Sequence, residues 1–366
     1  MTIRFRLVAA AAILVLATSP TAPVGAQMTV EEYEPRSGLV VPGHPTTRAK
    51  YPFIDVHSHQ GNATPERAEE LVREMDKLNM AVMVNLSGRN GQAFIRGREA
   101  LTGKHPNRFI VFANPDFTGI DDPEWGKKAA EQLARDYQAG ARGLKIFKNL
   151  GMSVQFTDGR RLPTDDPRLD PLWAKAGELG IPVLIHTADP HQFWQPMDKN
   201  NERWLELKEV PGRIRPADKY PPWETLMAEH WNIIRRHPKT KFISAHLSWL
   251  GGDLGRLGRL LDSMPNMHVE IGAVLAELGR QPRFAREWFI KYQDRVLFGK
   301  DAWAPSEYHY YFRTLETADE YFDYYRKRHA LWKLYGLDLP DEVLKKLYYK
   351  NALSVVPGLD ASQFPQ

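Results

Sequence analysis

The sequence predicts an α/β fold, and within that class a (β/α)8 TIM barrel with inserted loops after strands 5 and 8. The first observation is that strand-like and helix-like segments alternate from Phe53 onward, with eight strands in all. The second is that four of these strands end in His or Asp: FIDVHSH (53–59), IPVLIH (181–186), KFISAH (240–246) and RVLFGKD (295–301). Because a barrel gathers the carboxyl ends of its strands at one rim, the fold would bring these side chains together. An open doubly wound sheet is the main rival.

The strands and helices are expected in strict alternation. In the first helix, Thr64 can cap the amino terminus and Pro65 can occupy the first turn. We predict strands at 53–57, 80–86, 108–114, 141–148, 181–186, 240–246, 266–272 and 295–301. We predict helices at 64–78, 91–103, 122–140 and 166–180, and a closing helix at 339–356. The inserted loops span 187–222 and 302–335 and leave the rim where a barrel builds its active site.

The first residues predict an export signal rather than part of the fold. Arg4 and Arg6 precede an apolar core at 7–17, and small residues end the segment at Ala26. An apolar stretch this short, followed by prolines, is a poor membrane span. We therefore expect a periplasmic or secreted protein with no membrane span in the mature chain. The expected organisation is a signal peptide at 1–26, an N-terminal arm at 27–51, the barrel domain at 52–357 and a tail at 358–366.

Composition excludes several kinds of chemistry. The 366 residues contain no cysteine, which rules out disulfides, thiolate metal sites and a cysteine nucleophile. A metal would need His, Asp, Glu or Lys as ligands, which favours zinc, manganese or iron. The formal charge of +4 falls to about +2 without the two arginines of the signal, so nucleic-acid binding has no support. We expect a small-molecule substrate, and the sequence does not decide between a monomer and a homo-oligomer.

The residues at the strand ends predict a shared metal site. His57 and His59 lie on one face of the first strand, since strand side chains alternate. His186 and His246 each end an apolar strand, and Asp301 ends the eighth strand, which a closed barrel places beside the first. Each residue alone could be a hydrogen-bonded structural group or a turn residue. Their combination on four strand ends is what predicts a functional metal centre.

These motifs resemble the amidohydrolase superfamily, specifically its amidohydrolase-2 branch of metal-dependent TIM-barrel enzymes. The similar segments are FIDVHSH (53–59), LIHT (184–187), SAHL (244–247), LFGKDAW (297–303) and LPDEVLKKLYYKNALSVV (339–356). The resemblance spans residues 52–357 and implies that the catalytic metal is bound by His57, His59, His186 and Asp301. His246 would be a ligand of a second metal, or a base or electrophile beside the substrate. The branch includes hydrolases, lactonases and decarboxylases, so the resemblance does not specify a substrate.

Lysines near the site bear on the number of metal ions. Lys300 precedes the eighth-strand aspartate where the branch commonly has serine, which adds a charge near the site. Lys145 lies in GLKIFK, which resembles the fourth-strand segment of a binuclear branch where a carboxylated lysine bridges two ions; Lys148 is the fallback. Otherwise Lys145 would be an interior lysine paired with an acid such as Asp55 or Glu270. We favour one ion over two, with zinc first and manganese or iron as alternatives.

The expected activity is metal-dependent hydrolysis, in which metal-activated water attacks a cyclic ester, an amide or a similar carbonyl substrate. Asp301 would accept the water proton and deliver it to the leaving group. His246 would stabilise the oxyanion or position the substrate carbonyl. The candidate substrate-binding residues in or beside the strand-end loops are Lys148, His191, Arg203 and Trp303.

Other functions stay open at this point. The same barrel could be a non-hydrolytic, metal-dependent decarboxylase of an aromatic or enoic acid. It could also be a non-catalytic exported barrel that binds a metal or ligand, although retention of every ligand type argues against that. A metal-free glycosidase could use Glu270 and Glu178 as its carboxylates, but it would leave the histidines unexplained.

Overall fold

The computed structural model describes residues 28–365. The expected signal peptide at 1–26 therefore lies outside the described residues. The chain divides into two compact units, Met1–Leu39 and Val40–Gln366. The described part of the first unit contains neither helix nor strand. No helix in the described part of the chain is both long and apolar enough to cross a lipid bilayer.

The centre of the second unit is built from parallel strands that pair in chain order. They are β1 (Phe53–Ser58), β2 (Met80–Asn85), β3 (Phe109–Val111), β4 (Leu144–Ile146), β5 (Val183–Ile185), β6 (Phe242–Ser244), β7 (Met267–Glu270) and β8 (Val296–Leu297). Strands β1 to β3 form one sheet and β4 to β8 form another. Each strand is parallel to its neighbour.

Isolated bridges connect the two sheets at both edges. Ala113, just after β3, bridges Leu144 of β4, and Ser58 of β1 bridges Asp301, just beyond β8. The backbone N–H of Asp301 also donates a 2.7 Å hydrogen bond to the carbonyl of His57. The strand order thus continues from β8 back to β1, as in a (β/α)8 barrel, and the predicted fold class is confirmed.

Helices alternate with the strands. The longer ones are Pro65–Leu78, Gly91–Thr102, Trp125–Gln138, Asp170–Glu178, Trp223–Arg236, Leu254–Ser263, Pro282–Lys291 and Pro305–Glu316. The shorter helical segments are Asn149–Met152, Pro167–Leu169, His191–Trp194, Trp204–Glu209, Pro211–Arg213, Ala245–Trp249, Leu275–Gly279 and Ala361–Gln363. The predicted closing helix consists of three consecutive segments, Asp341–Lys345, Lys346–Lys350 and Asn351–Val355, of which the middle one is π-helical. The second insertion also contains a short antiparallel pair, β9 (Phe322–Asp323) and β10 (Lys333–Leu334).

The first helix shows why these segments fold as they do. The Thr64 side chain accepts a 3.2 Å hydrogen bond from the backbone N–H of Arg67, which caps the amino terminus as predicted. Its buried residues, spaced three and four apart, form one apolar stripe: Ala68, Leu71, Met75 and Leu78. The helix ends at Asn79, which adopts a left-handed conformation with φ 69°.

Most strands are shorter than predicted, and several of them lose residues at both ends. The segment 295–301 was predicted as strand throughout, but only Val296–Leu297 is. Non-glycine residues with positive φ follow β5, β7 and β8, namely Ala188, Ala273 and Asp301. These turns end the ladders early and direct side chains toward the mouth of the barrel.

Candidate metal centre

Histidine rings from three strands lie together at the rim. The ring centroids of His57 and His246 are 5.0 Å apart, and those of His186 and His246 are 4.5 Å apart. The ring of His59 lies 5.2 Å from that of His57. The structure therefore brings together the four histidines that the sequence placed at the ends of β1, β5 and β6.

In three of these rings, one nitrogen, Nε2, lacks a hydrogen-bond partner within the described part of the chain. Nε2 of His57, His186 and His246 is buried in each case and has no hydrogen-bond partner among the described residues. Nδ1 of His57 lies 3.0 Å from Oε1 of Glu270, and Nδ1 of His246 lies 2.7 Å from the carbonyl oxygen of Gly272. Buried polar atoms are almost always bonded, so three open nitrogens in one place call for a ligand. Imidazoles that donate from Nδ1 and bind through Nε2 are typical metal ligands, and these residues fit a metal ion.

The tautomer of His246 restricts what this residue can do. The Gly272 carbonyl can only accept, so Nδ1 of His246 must carry the hydrogen. A neutral His246 then presents a lone pair at Nε2. That lone pair suits a metal ligand or a base, but it cannot donate a hydrogen bond to an oxyanion. Stabilising an oxyanion from this position would require a doubly protonated ring, which donates from Nε2 as well.

Asp301 supplies a carboxylate beside the imidazoles. Its Oδ1 lies 3.6 Å from Nε2 of His57 and 3.5 Å from Nε2 of His59. Burial acts to raise the pKa of Asp301, but the neighbouring imidazoles outweigh it and hold the pKa below its ordinary value. The side chain is 35% exposed, so the ionised carboxylate can meet both a metal ion and a substrate.

Glu270, at the end of β7, orients two of the rings. Its Oε1 lies within hydrogen-bond distance of His57 Nδ1 and accepts the backbone N–H of His246 at 2.6 Å. Its Oε2 accepts the backbone N–H of Gly272, also at 2.6 Å. A Cβ added to Gly299 would lie 2.2 Å from Oε2 of Glu270, so only glycine leaves room for this carboxylate. The sequence analysis missed this role, although a glutamate ending an apolar strand was a usable signal.

Lys145 on β4 is fully buried, and its Nζ has no partner among the described residues. Burial lowers its pKa to about 8, against the opposing charges of Asp301 and Glu270. The alternative that paired Lys145 with Asp55 or Glu270 is wrong, because neither carboxylate bonds to it. One oxygen of Asp55 instead accepts the hydroxyl of Tyr308 at 2.6 Å.

The backbone that carries His246 is held in an unusual conformation. The four consecutive residues from His246 to Trp249 all have positive φ, at 58°, 52°, 55° and 54°. Non-glycine residues rarely adopt this region, and such strain persists where the surroundings enforce it, commonly at functional sites. The Trp249 ring stacks on the His246 ring at a centroid distance of 4.4 Å, which fixes the imidazole further.

The predicted substrate-binding residues have different surroundings. Lys148 is 43% exposed and donates to Asp189 at 2.5 Å. The pKa of His186 is lowered mainly by burial, then by His246 and Lys145, and the charge of Lys148 makes a smaller contribution. The His191 ring lies 5.0 Å from that of Trp223. Trp303 donates from Nε1 to Glu74 at 3.0 Å.

Arg203 is buried in a cluster of ion pairs. It is 3% exposed, and its terminal nitrogens donate to Glu206 at 2.9 Å and to Glu277 at 2.5 Å. Because both terminal nitrogens are engaged by carboxylates, the prediction that Arg203 binds substrate is not supported.

Comparisons with known proteins identify the family. Residues 54–357 match the Amidohydro_2 family model, described as an amidohydrolase. An uncharacterized TIM-barrel protein from Bordetella bronchiseptica is similar in structure, with TM-score 0.52, 16% identity, and coverage of 83% of this chain and 97% of that one. So is 2,6-dihydroxybenzoate decarboxylase from Rhizobium, with TM-score 0.50, 16% identity, and coverage of 83% and 98%. At these identities the likeness shows the fold alone, and a search of curated proteins finds no significant match. The chain therefore belongs to the amidohydrolase-2 family of TIM-barrel enzymes, as the motifs predicted.

Proposed function

We propose that this amidohydrolase is a metal-dependent hydrolase in which water attacks a cyclic ester, an amide or a similar carbonyl substrate. Two observations carry the proposal: Nε2 of His57 and Nε2 of His186 are buried without a hydrogen-bond partner among the described residues, and Oδ1 of Asp301 lies 3.6 Å and 3.5 Å from Nε2 of His57 and His59. The proposed ligands of one divalent ion, zinc before manganese or iron, are His57, His59, His186 and Asp301. In a site with two ions, Lys145 and His246 would complete the second set.

The chemistry divides between the ion and the protein. A divalent ion held by His57, His59, His186 and Asp301 would lower the pKa of water and polarise a carbonyl group. Asp301 accepts the proton of the attacking water at its carboxylate and returns it to the leaving group, since its lowered pKa keeps it ionised at neutral pH. Glu270 and the Gly272 carbonyl hold the rings of His57 and His246 in place during these steps.

A decarboxylase acting on an aromatic acid is the second candidate, favoured by aromatic rings around the site. Phe147 is 36% exposed, and its ring lies 5.5 Å from that of His59. Trp249 stacks on His246 on another side of the cluster. These rings suit a flat aromatic substrate. The structural relative from Rhizobium is also a decarboxylase, of 2,6-dihydroxybenzoate.

Metal content and product analysis test both candidates. We expect protein purified without chelator to contain one ion per chain, and the Asp301→Asn variant to lose activity on the substrates turned over by the wild type. The control Asp262→Asn changes an exposed aspartate on another face and should leave both metal and activity intact. A panel of lactones, cyclic amides and aromatic acids separates water-dependent ring opening from carbon dioxide release. Turnover unaffected by chelation and by Asp301→Asn would contradict both reactions, whereas protein that binds the ion without turnover would favour a binding barrel.

Export is part of the same proposal. The basic start, apolar core and small residues before Gln27 support cleavage near Ala26. Expression of the full chain with its natural amino terminus should yield periplasmic or secreted protein beginning near Gln27. Amino-terminal sequencing of each cell fraction checks this, and full-length protein confined to the cytosol would contradict it.

A further inference from the structure

Lys300 is buried immediately before the proposed ligand Asp301 and makes no contact that the mechanism uses. Its side chain is 1% exposed. The ammonium group reaches past Asp301 and donates to the carbonyl oxygen of Ala302 at 2.5 Å and to Oε2 of Glu307 at 2.6 Å. Glu307 lies in the first turn of the helix Pro305–Glu316. One side chain therefore connects the end of β8, the residue after Asp301, and the start of the next helix.

The backbone on the amino-terminal side of Asp301 is held as well. The N–H of Lys300 donates to Oδ1 of Asp55 at 3.2 Å, and the same oxygen accepts the N–H of His57 at 2.9 Å. The N–H of Asp301 donates to the carbonyl of His57 at 2.7 Å. Asp55 thus ties the backbone of β1 to the segment just after β8, and the Lys300 side chain holds the residues that follow.

Asp301 needs such restraint because of its conformation. Its φ is 84°, in the left-handed region that favours glycine, although it carries a side chain. A freely moving segment would relax to negative φ and turn the carboxylate away from the imidazoles. The contacts made by Lys300 on either side of Asp301 oppose this relaxation.

We propose that Lys300 is a positioning residue that clamps the turn carrying Asp301, so that the carboxylate stays directed at the histidine cluster for metal binding. The clamp is the pair of contacts from Lys300 Nζ to Ala302 and Glu307. Lys300 itself does not touch the metal or the substrate, because its ammonium group is buried and directed to these two acceptors. The inference rests on the proposed metal site.

The test measures zinc affinity of folded protein, with zinc alone as the probe and a chromogenic chelator as competitor. In Lys300→Met the aliphatic stem remains while both contacts of the ammonium group are lost. We expect zinc affinity to fall about 10- to 100-fold, the range found when partners of metal ligands are removed. Glu307→Gln should weaken zinc binding in the same direction by a smaller factor, because the contact to Ala302 remains.

The matched control is Lys175→Met. Lys175 also donates to a carboxylate at 2.5 Å, that of Glu178, but it does so on the helix Asp170–Glu178. This variant should bind zinc within twofold of the wild type. A purely structural role for Lys300 would lower the melting temperature of the metal-free protein and leave the zinc affinity of the folded protein unchanged.

The outcomes are separable. Wild-type protein that binds no zinc contradicts the proposed metal site itself. Wild-type protein that binds zinc together with a folded Lys300→Met variant of equal affinity overturns the positioning role. If circular dichroism shows that Lys300→Met is unfolded, Glu307→Gln decides: weaker zinc binding supports the clamp and unchanged binding overturns it.

Discussion

Two buried clusters in this protein contain histidine and acidic residues, but the polar atoms of the two clusters differ in their contacts. In the histidine cluster of the rim, Nε2 of His57, His186 and His246 has no hydrogen-bond partner among the described residues. In the second cluster, the salt-bridge cluster of Arg203, Glu206, Glu277 and His329, each carboxylate faces a cationic partner. We therefore expect the same residue types to serve metal binding where the lone pairs of neighbouring rings converge, and folding where opposite charges lie in contact.

The largest expected effect comes from removing a ring of the histidine cluster. His186→Ala should reduce metal affinity at least about 100-fold, because a buried ligand nitrogen is lost. The fold should persist, since that nitrogen bonds to no other described group. Elemental analysis and circular dichroism of the purified variant check both expectations. Undiminished metal content would remove His186 from the site.

Breaking the salt-bridge cluster should do the reverse. Arg203→Met removes the ion pair of Glu277, while Glu206 keeps Arg213 and His329, so the free energy of unfolding should fall by about 3 kcal/mol, the lower end of the range for a broken buried pair. Metal bound per folded chain should not change. Urea unfolding monitored by tryptophan fluorescence measures the first quantity, and elemental analysis measures the second. Loss of metal from folded protein would show that the two clusters are not independent.

His230 extends the comparison with the rim histidines, because it is also buried but both of its ring nitrogens have hydrogen-bond partners. Its partners are Thr187 at 3.0 Å and Ser244 at 2.7 Å, and burial lowers its pKa from 6.5 to about 3. Between these values the unfolded chain binds a proton that the folded protein excludes. Stability should therefore fall as the pH drops below 6.5, with His230 contributing up to about 1.4 kcal/mol per pH unit.

The His230→Gln variant isolates this contribution. Its free energy of unfolding should depend less steeply on pH between 6 and 4 than that of the wild type, and its metal content should stay the same. Urea unfolding at several pH values checks the slope. Parallel curves for the two proteins would show that His230 does not titrate in this window.

The smallest effect is expected at Lys148, which is partly exposed and pairs with an aspartate, Asp189, that also has a second cationic partner. Arg215 also bonds to the Asp189 carboxylate, at 2.6 Å, so Lys148→Met leaves that acid paired. The free energy of unfolding should change by less than about 1 kcal/mol. Thermal unfolding of the two proteins measures this. A larger loss would place Lys148 among the groups that hold the rim together.

The sequence predicted what depends on local pattern and failed where distant contacts decide. Strand ends with His and Asp predicted a common rim, because the carboxyl ends of neighbouring parallel strands meet there. The position of Glu270 at the end of an apolar strand was visible in the sequence, but its contacts with His57 and His246 depend on space left by Gly299, just beyond β8, which a local pattern does not show. Arg203 was misread for a similar reason, because its partner Glu277 lies 74 positions away along the chain. Loop charge alone does not show whether an arginine faces solvent or a buried acid.

The left-handed run from His246 to Trp249 has a consequence for engineering this scaffold. In a mutational library covering positions 247 and 248, many variants would be destabilised by the backbone conformation whatever their effect on the site. β-Branched side chains are the least compatible with positive φ. Glycine and asparagine would be tolerated best at these two positions, because they adopt positive φ most readily. Diversity aimed at new substrates is better directed to Phe147 and His191, whose backbones carry no such restriction.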